Sequence, residues 1–264
     1  MKLIYLANIR LPTEKAHGLQ IVQNCEAFAD AGVEVELWAA RRVNTPEMRA
    51  ISDIYAHYGV KNNFVLRYLP SLDLLWLGAD QGSLLARLFF ALQSITFVLS
   101  ALVAVFGSRA DTYYSRDALT LLAISLVKPS RALAYEVHSA AHGVLGRWIQ
   151  RQTVRRVGQV FGVTSKLCEE LLALGANAAR THVAPDGIRG ARFQNPPAQA
   201  EARHALGWPE DAYIVGYVGR LQTLAQDKGI GLLVEALAQI GAASIALVGG
   251  PDDMAEALRQ QWLA

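Results

Sequence analysis

Charge is scarce in this chain. Asp, Glu, Lys and Arg make up 18% of its 264 residues, against about 25% in an average soluble protein. Hydrophobic residues make up 52%, which excludes an extended disordered chain and leaves ample material for a core. Neither sign of charge dominates: 25 Lys and Arg face 23 Asp and Glu, for a formal charge of +2. Bulk charge therefore makes no case for a nucleic-acid partner. Cysteine is scarce too. Cys25 and Cys168 are too few for a disulfide framework or a zinc site, and each falls in a helix-like apolar pattern. They read as two buried free thiols in a reducing compartment. The P-loop, serine-hydrolase and zinc-finger patterns are absent, as is the G-x-G-x-x-G fingerprint, which disfavours a nicotinamide-dependent dehydrogenase. No repeat occurs at solenoid spacing.

The first residues, MKLIYLANIR, are too short an apolar run for a signal peptide, since Arg10 interrupts them. One stretch does mimic a membrane span. Residues 88–106 carry no charge and approach the length that crosses a bilayer. Within them Gln93, Thr96 and Ser100 lay a thin polar stripe along one helix face, and Arg87 and Arg109 flank the run. That pattern predicts a buried or interfacial helix.

Elsewhere the chain alternates. Strand-like runs at 2–7, 33–39, 64–68, 111–114, 133–137, 159–163 and 180–184 are separated by helical patterns at 18–31, 88–106, 119–127, 145–157 and 166–174. This βα order predicts an α/β fold with a mostly parallel sheet covered on both faces. Pro185, Asp186, Gly187, Gly190, Pro196 and Pro197 then break the pattern. Alternation restarts with a strand at 213–218, a helix at 230–240, a strand at 244–248 and a helix at 252–263. The expected organisation is a Rossmann-like domain over 1–184, a linker over 185–205, and a partial second domain over 206–264. A half sheet there would leave an open edge and uncovered apolar surface.

Ligands of such sheets bind at the carboxyl ends of the strands. The loop after the first strand delivers Gly18 to a helix start, where backbone N–H groups can meet an anion. An ordinary helix start would need no more than that. Arg220 follows the strand at 213–218, and Lys228 opens the next helix. Two cations there suit a diphosphate, and they suit an exposed charged loop as well. His138 ends the strand at 133–137, where it could serve a substrate oxygen or a proton transfer, or simply hold structure. His138 and His142 lack a third ligand, so no metal site is expected. Arg116 and Asp117 occupy the same rim, either as ligand contacts or as a loop ion pair. Arg147, Arg151 and Arg155 recur at i, i+4, i+8, beside Arg156. Such a stripe is either a solvated face or a dock for anionic headgroups.

Taken in order, several segments resemble the retaining nucleotide-sugar glycosyltransferases of family 4, which have the GT-B fold. These are MKLIYLAN, KAHGLQIVQNCEAFADAGVEVELW, YSRD at Tyr114–Asp117, YEVHS at Tyr135–Ser139, VTSKLCEELLALG, PDGI at Pro185–Ile188, and GYVGR followed by DKGIGLLVEALA. The resemblance implies two Rossmann-like domains, with an acceptor on the N-terminal one and a nucleotide-diphosphate sugar on the C-terminal one. It implies that His138 is catalytic, that Gly18, Arg220 and Lys228 bind the donor phosphates, and that Arg116 and Asp117 lie on the acceptor side. No cofactor or metal is expected beyond the donor substrate. A lipid or polysaccharide acceptor, retention of configuration and a cytoplasmic location at the inner face of the membrane are the further expectations.

Two departures stand out. His17-Gly18 replaces a family Gly-Gly pair. The later pair of glutamates eight positions apart, which binds the donor sugar, is missing, since Glu235 and Glu256 are not at that spacing. The second departure sets up an alternative: a catalytically incompetent fragment of such an enzyme, acting at most as an acceptor-, membrane- or partner-binding module.

Overall fold

The computed structural model describes residues 1–77, 83–223, 226–240 and 243–263. The chain divides into two compact units, Met1–Gly187 and Ile188–Ala264.

Unit 1 is built on seven strands: β1 (Lys2–Ala7), β2 (Glu34–Ala40), β3 (Val65–Leu69), β4 (Thr112–Ser115), β5 (Leu133–Val137), β6 (Gln159–Gly162) and β7 (Thr181–Val183). They form one sheet in the order β3-β2-β1-β4-β5-β6-β7. Every pairing in it is parallel. The connecting helices are α1 (Ala16–Asp30), the short α2 (Pro46–Arg49) and α3 (Ile54–Tyr58), then α4 (Leu84–Phe106), α5 (Ala118–Ile124), α6 (Gly143–Val154) and α7 (Ser165–Ala173). The two short helices are one turn each, below the length at which apolar periodicity can be read.

Successive side chains of a strand point to opposite faces. Ile4 and Leu6 of β1 therefore join one core cluster with Trp38, Phe97, Tyr113, Leu121 and Tyr135. Leu3, Tyr5 and Ala7 join another with Ile21, Val22, Cys25, Leu37 and Tyr114. The central strands β1 and β5 are buried on both faces, as a parallel sheet requires, while the edge strands β3 and β7 are largely exposed. Both cysteines are buried and free.

α4 is longer than its uncharged run, beginning at Leu84, where Ser83 caps it by accepting from the Ala86 N–H. By length and composition it could cross a membrane. It packs along the sheet instead, with Phe97, Ala101 and Val105 fully buried. The polar stripe turns inward, not outward. Gln93 Nε2 donates to Asn8 Oδ1 at 2.8 Å, and Thr96 Oγ1 accepts from the Leu72 N–H at 2.9 Å. These side chains satisfy loop groups that the sheet leaves unpaired. The opposite face of α4 is apolar and exposed, including Leu88, Leu99, Val103 and Phe106.

In unit 2, α8 (Gln199–Leu206) lies where a linker was expected. It is followed by β8 (Tyr213–Val218), the antiparallel pair β9 (Gln222–Thr223) and β10 (Gln226–Asp227), then α9 (Ile230–Ala238), β11 (Ala243–Val248) and α10 (Asp252–Leu263). β8 and β11 pair in parallel over six residues. The turn after β11 passes tightly over the end of β8. Gly249 has φ +145°, and a side chain there would collide with the Gly219 carbonyl oxygen. Tyr213, Val218 and Val248 remain exposed.

Candidate functional site

The strand order reverses direction between β1 and β4, and in open α/β sheets ligands bind at such a switch point. A cavity of about 1170 Å³ opens there, at the carboxyl ends of β1, β4 and β5. Asn8, His17, Gln20, Arg116, Asp117 and His138 supply polar groups along it. Helices α4, α5 and α6 supply its apolar walls.

Glu136 organises the polar end. It lies on the α1 face of β5, in a buried patch with Tyr5 and Tyr114, whose strands pair in register. Tyr5 Oη and Tyr114 Oη both donate to Glu136 Oε2, at 3.2 and 2.8 Å. Arg116 Nη2 and His138 Nε2 each lie 2.7 Å from Oε1. Burial alone would raise this carboxyl. The contacts with His138, Arg116 and Tyr114 outweigh burial and hold the pKa at about 2. Burial, with the neighbouring Glu136 charge, pushes the Tyr5 and Tyr114 hydroxyls up, so they stay protonated and donate.

The sequence pattern alone does not single out Glu136. A lone acid inside a buried strand was the available signal, because such a charge needs partners. Asp186 Oδ1 approaches His138 Nδ1 at 3.8 Å, and the ligand atoms of Glu136, His138 and Asp186 lie within 4.8 Å of one another. Glu136 Oε1 is shared between Arg116 and His138.

Arg116 is nearly buried. Its Nη1 donates to Gln20 Oε1 at 2.8 Å, and its Nη2 pairs with Glu136. Among the described residues its Nε is buried without a partner. Asp117 caps α5, accepting from the Leu119 N–H at 3.0 Å and from Thr120 Oγ1 at 2.7 Å. Burial raises its pKa. Burial likewise lowers His17, with Lys15 adding to the effect, which favours a neutral imidazole beside the cavity.

Gly18 sits within the first turn of α1, which begins at Ala16, two residues before the expected start. Its N–H donates to the Lys15 carbonyl, so an anion cannot use that donor in this arrangement. Its lack of a side chain has a packing reason. A Cβ would collide with Thr13 Cγ2 and lie 2.9 Å from Tyr58 Oη. Tyr58, delivered by α3, accepts from the Thr13 N–H and donates to the Thr13 carbonyl.

In unit 2, β9 and β10 pair antiparallel, and the Lys228 N–H donates to the Leu221 carbonyl at 3.2 Å. Arg220 and Lys228 are thereby neighbours, both exposed, just before α9. The basic stripe on α6 is exposed at Arg147, Arg151 and Arg155, with Val144, Leu145 and Trp148 exposed on the same helix.

No protein-family model matches the chain. It is 36% identical over 92 residues to the D-inositol 3-phosphate glycosyltransferase of Kineococcus radiotolerans, a match covering 34% of this chain and 20% of that protein. Among solved structures, HepE of Anabaena in complex with UDP matches with a TM-score of 0.62 at 15% identity, over 99% of this chain and 65% of that one. The UDP-GlcNAc 2-epimerase of Neisseria meningitidis bound to UDP-GlcNAc matches with a TM-score of 0.54 at 12% identity, over 100% and 70%. The matches to the glycosyltransferase and to HepE each span less than two thirds of the relative's length. In its α/β fold this chain is like the GT-B glycosyltransferases, and in sequence it is similar to the D-inositol 3-phosphate glycosyltransferases.

Proposed function

We propose that this protein transfers a sugar from a nucleoside-diphosphate sugar to an acceptor hydroxyl, with retention of configuration. The observation that carries the reading is the buried network that fixes His138 at the mouth of the switch-point cavity, on a chain whose sequence relatives are glycosyltransferases. In the reaction the acceptor oxygen bonds to the anomeric carbon while the bond from that carbon to the diphosphate oxygen breaks. The diphosphate leaves with the electron pair, and the acceptor proton passes to the departing phosphate. Arg220 and Lys228 stabilise the charge that builds on the diphosphate, and no metal is needed for that. In unit 1 the positive end of α1, at Gly18, favours an anion such as a donor phosphate. His138 meets the reacting sugar. Arg116 and Asp117 shape the acceptor side.

The acceptor is a lipid or a glycan. Placement at the inner face of a cytoplasmic membrane is supported by the exposed arginines of α6 and the exposed apolar face of α4.

UDP is the probe, since HepE was solved with it. Calorimetric titration should show binding to the purified chain, and Arg220→Ala and Lys228→Ala should each weaken it about 10-fold or more, the loss of one charge-assisted hydrogen bond. Equal affinity in the variants would remove these residues from the site. UDP binding without any sugar transfer would favour the alternative of a binding module.

A further inference from the structure

The geometry points to an acceptor with a long apolar chain: we propose that the α4–α5–α6 cavity houses that chain, with its polar head at Arg116 and His138. This rests on the reading of unit 1 as the acceptor side. The cavity is about 1170 Å³, at or beyond the upper end of ordinary ligand pockets, roughly 300–1,000 Å³. Most of its lining is apolar, and its titratable groups lie at the strand ends. Asn8, Gln20, Arg116 and His138 gather at the strand ends, while Phe90, Ile95, Leu122, Leu145, Trp148 and Ile149 form walls of hydrocarbon and aromatic ring.

A sugar or inositol filling that volume would press several hydroxyls against walls that are mostly hydrocarbon and offer few hydrogen bonds, and each unpaired hydroxyl weakens binding. A chain bearing one polar head matches this predominantly apolar lining.

The wall also runs on into the surface. α4 supplies Phe90, Ala91 and Ile95 to the cavity, and its neighbours Leu88, Leu92 and Leu99 carry the apolar face outward. A chain longer than the cavity would run on over this apolar surface of α4. A continuous exposed patch of this kind marks an interaction site.

Octyl phosphate and butyl phosphate test this on the purified full chain by calorimetry. Each added methylene buried in the cavity tightens binding up to about fourfold. Octyl phosphate should therefore bind at least 10-fold more tightly than butyl phosphate. Ala91→Trp, which fills the cavity from an exposed position on its wall, should weaken octyl phosphate at least 10-fold. Val103→Glu, on the exposed face of α4 away from the cavity, should leave it unchanged. Should Ala91→Trp fail to fold, Leu145→Arg on the α6 wall carries the same test. Equal affinity for the two chain lengths, no effect of filling the cavity, or an equal loss with Val103→Glu would each overturn the inference. No donor enters this assay. Loss of UDP binding with octyl selectivity retained would count against the transferase reading alone. UDP binding without octyl selectivity would sink only the chain site.

Discussion

Glu136 Oε1 lies 2.7 Å from His138 Nε2, and that contact fixes which ring nitrogen faces outward. Glu136 is ionised with its pKa near 2, so its oxygens can only accept. Nε2 must then carry the proton. Nδ1 is left towards Asp186, 3.8 Å away, and towards any ligand at the cavity mouth. The imidazole is oriented from below by a carboxylate that is itself held by two tyrosines and an arginine.

Glu136→Gln keeps the size of the side chain and removes its charge. Arg116 then loses its buried partner. Breaking a buried pair in this way costs about 3–5 kcal/mol. Urea unfolding should show a loss on that scale, and transfer should fall with it. A variant as stable as the parent would mean that the Arg116–Glu136 pair contributes nothing net.

Acid should act through the same carboxyl. Its folded pKa of about 2 lies below the ordinary glutamate value of about 4.3. The stabilisation is complete above pH 4.3 or so and is lost as pH falls towards 2. About 3 kcal/mol is at stake over that window. Urea midpoints at pH 5 and pH 3 should differ more in the parent than in Glu136→Gln. The same difference in both would assign the acid sensitivity elsewhere.

Gly18→Ala drives a methyl into Thr13 Cγ2 and to 2.9 Å from Tyr58 Oη. Overpacking of that kind costs about 1–3 kcal/mol. Gly107→Ala is the control, because nothing lies within 4 Å of the added carbon and its φ of −83° suits alanine. The control should be neutral or slightly stabilising. Thermal unfolding of the pair decides the matter, and equal midpoints would refute the close-packing role of Gly18.

Vesicles test the surface of α6. Each basic residue near an anionic bilayer contributes about 1 kcal/mol. Arg147→Glu with Arg151→Glu should lower cosedimentation with phosphatidylserine vesicles by 10-fold or more, and the parent's binding should weaken with salt. Cosedimentation unaffected by either change would leave the stripe as a solvated face.

Local patterning was enough for the sheet. β1, β5, β8 and α10 fall at the residues where alternation and breakers place them, because strand faces and helix stops are written within a few residues of chain. The positions of Arg116, Asp117 and His138 at strand ends follow from the same alternation. α4 was less legible. A helix so apolar on most sides has little periodic contrast, and its polar stripe turned inward only because Asn8 and the Leu72 N–H, distant in sequence, need partners. The same holds for the site. No spacing ties Tyr5, Tyr114 and Arg116 to Glu136, which lie up to 131 positions apart and meet through strand register. Gly18 reads as a helix-start glycine until Tyr58 arrives from α3 to fill the space beside it. Short-range apolar pattern thus set the order of strands and helices. Packing between segments remote in sequence chose the partners of each charge and the face each helix buries, since burial and charge pairing are properties of neighbours in space.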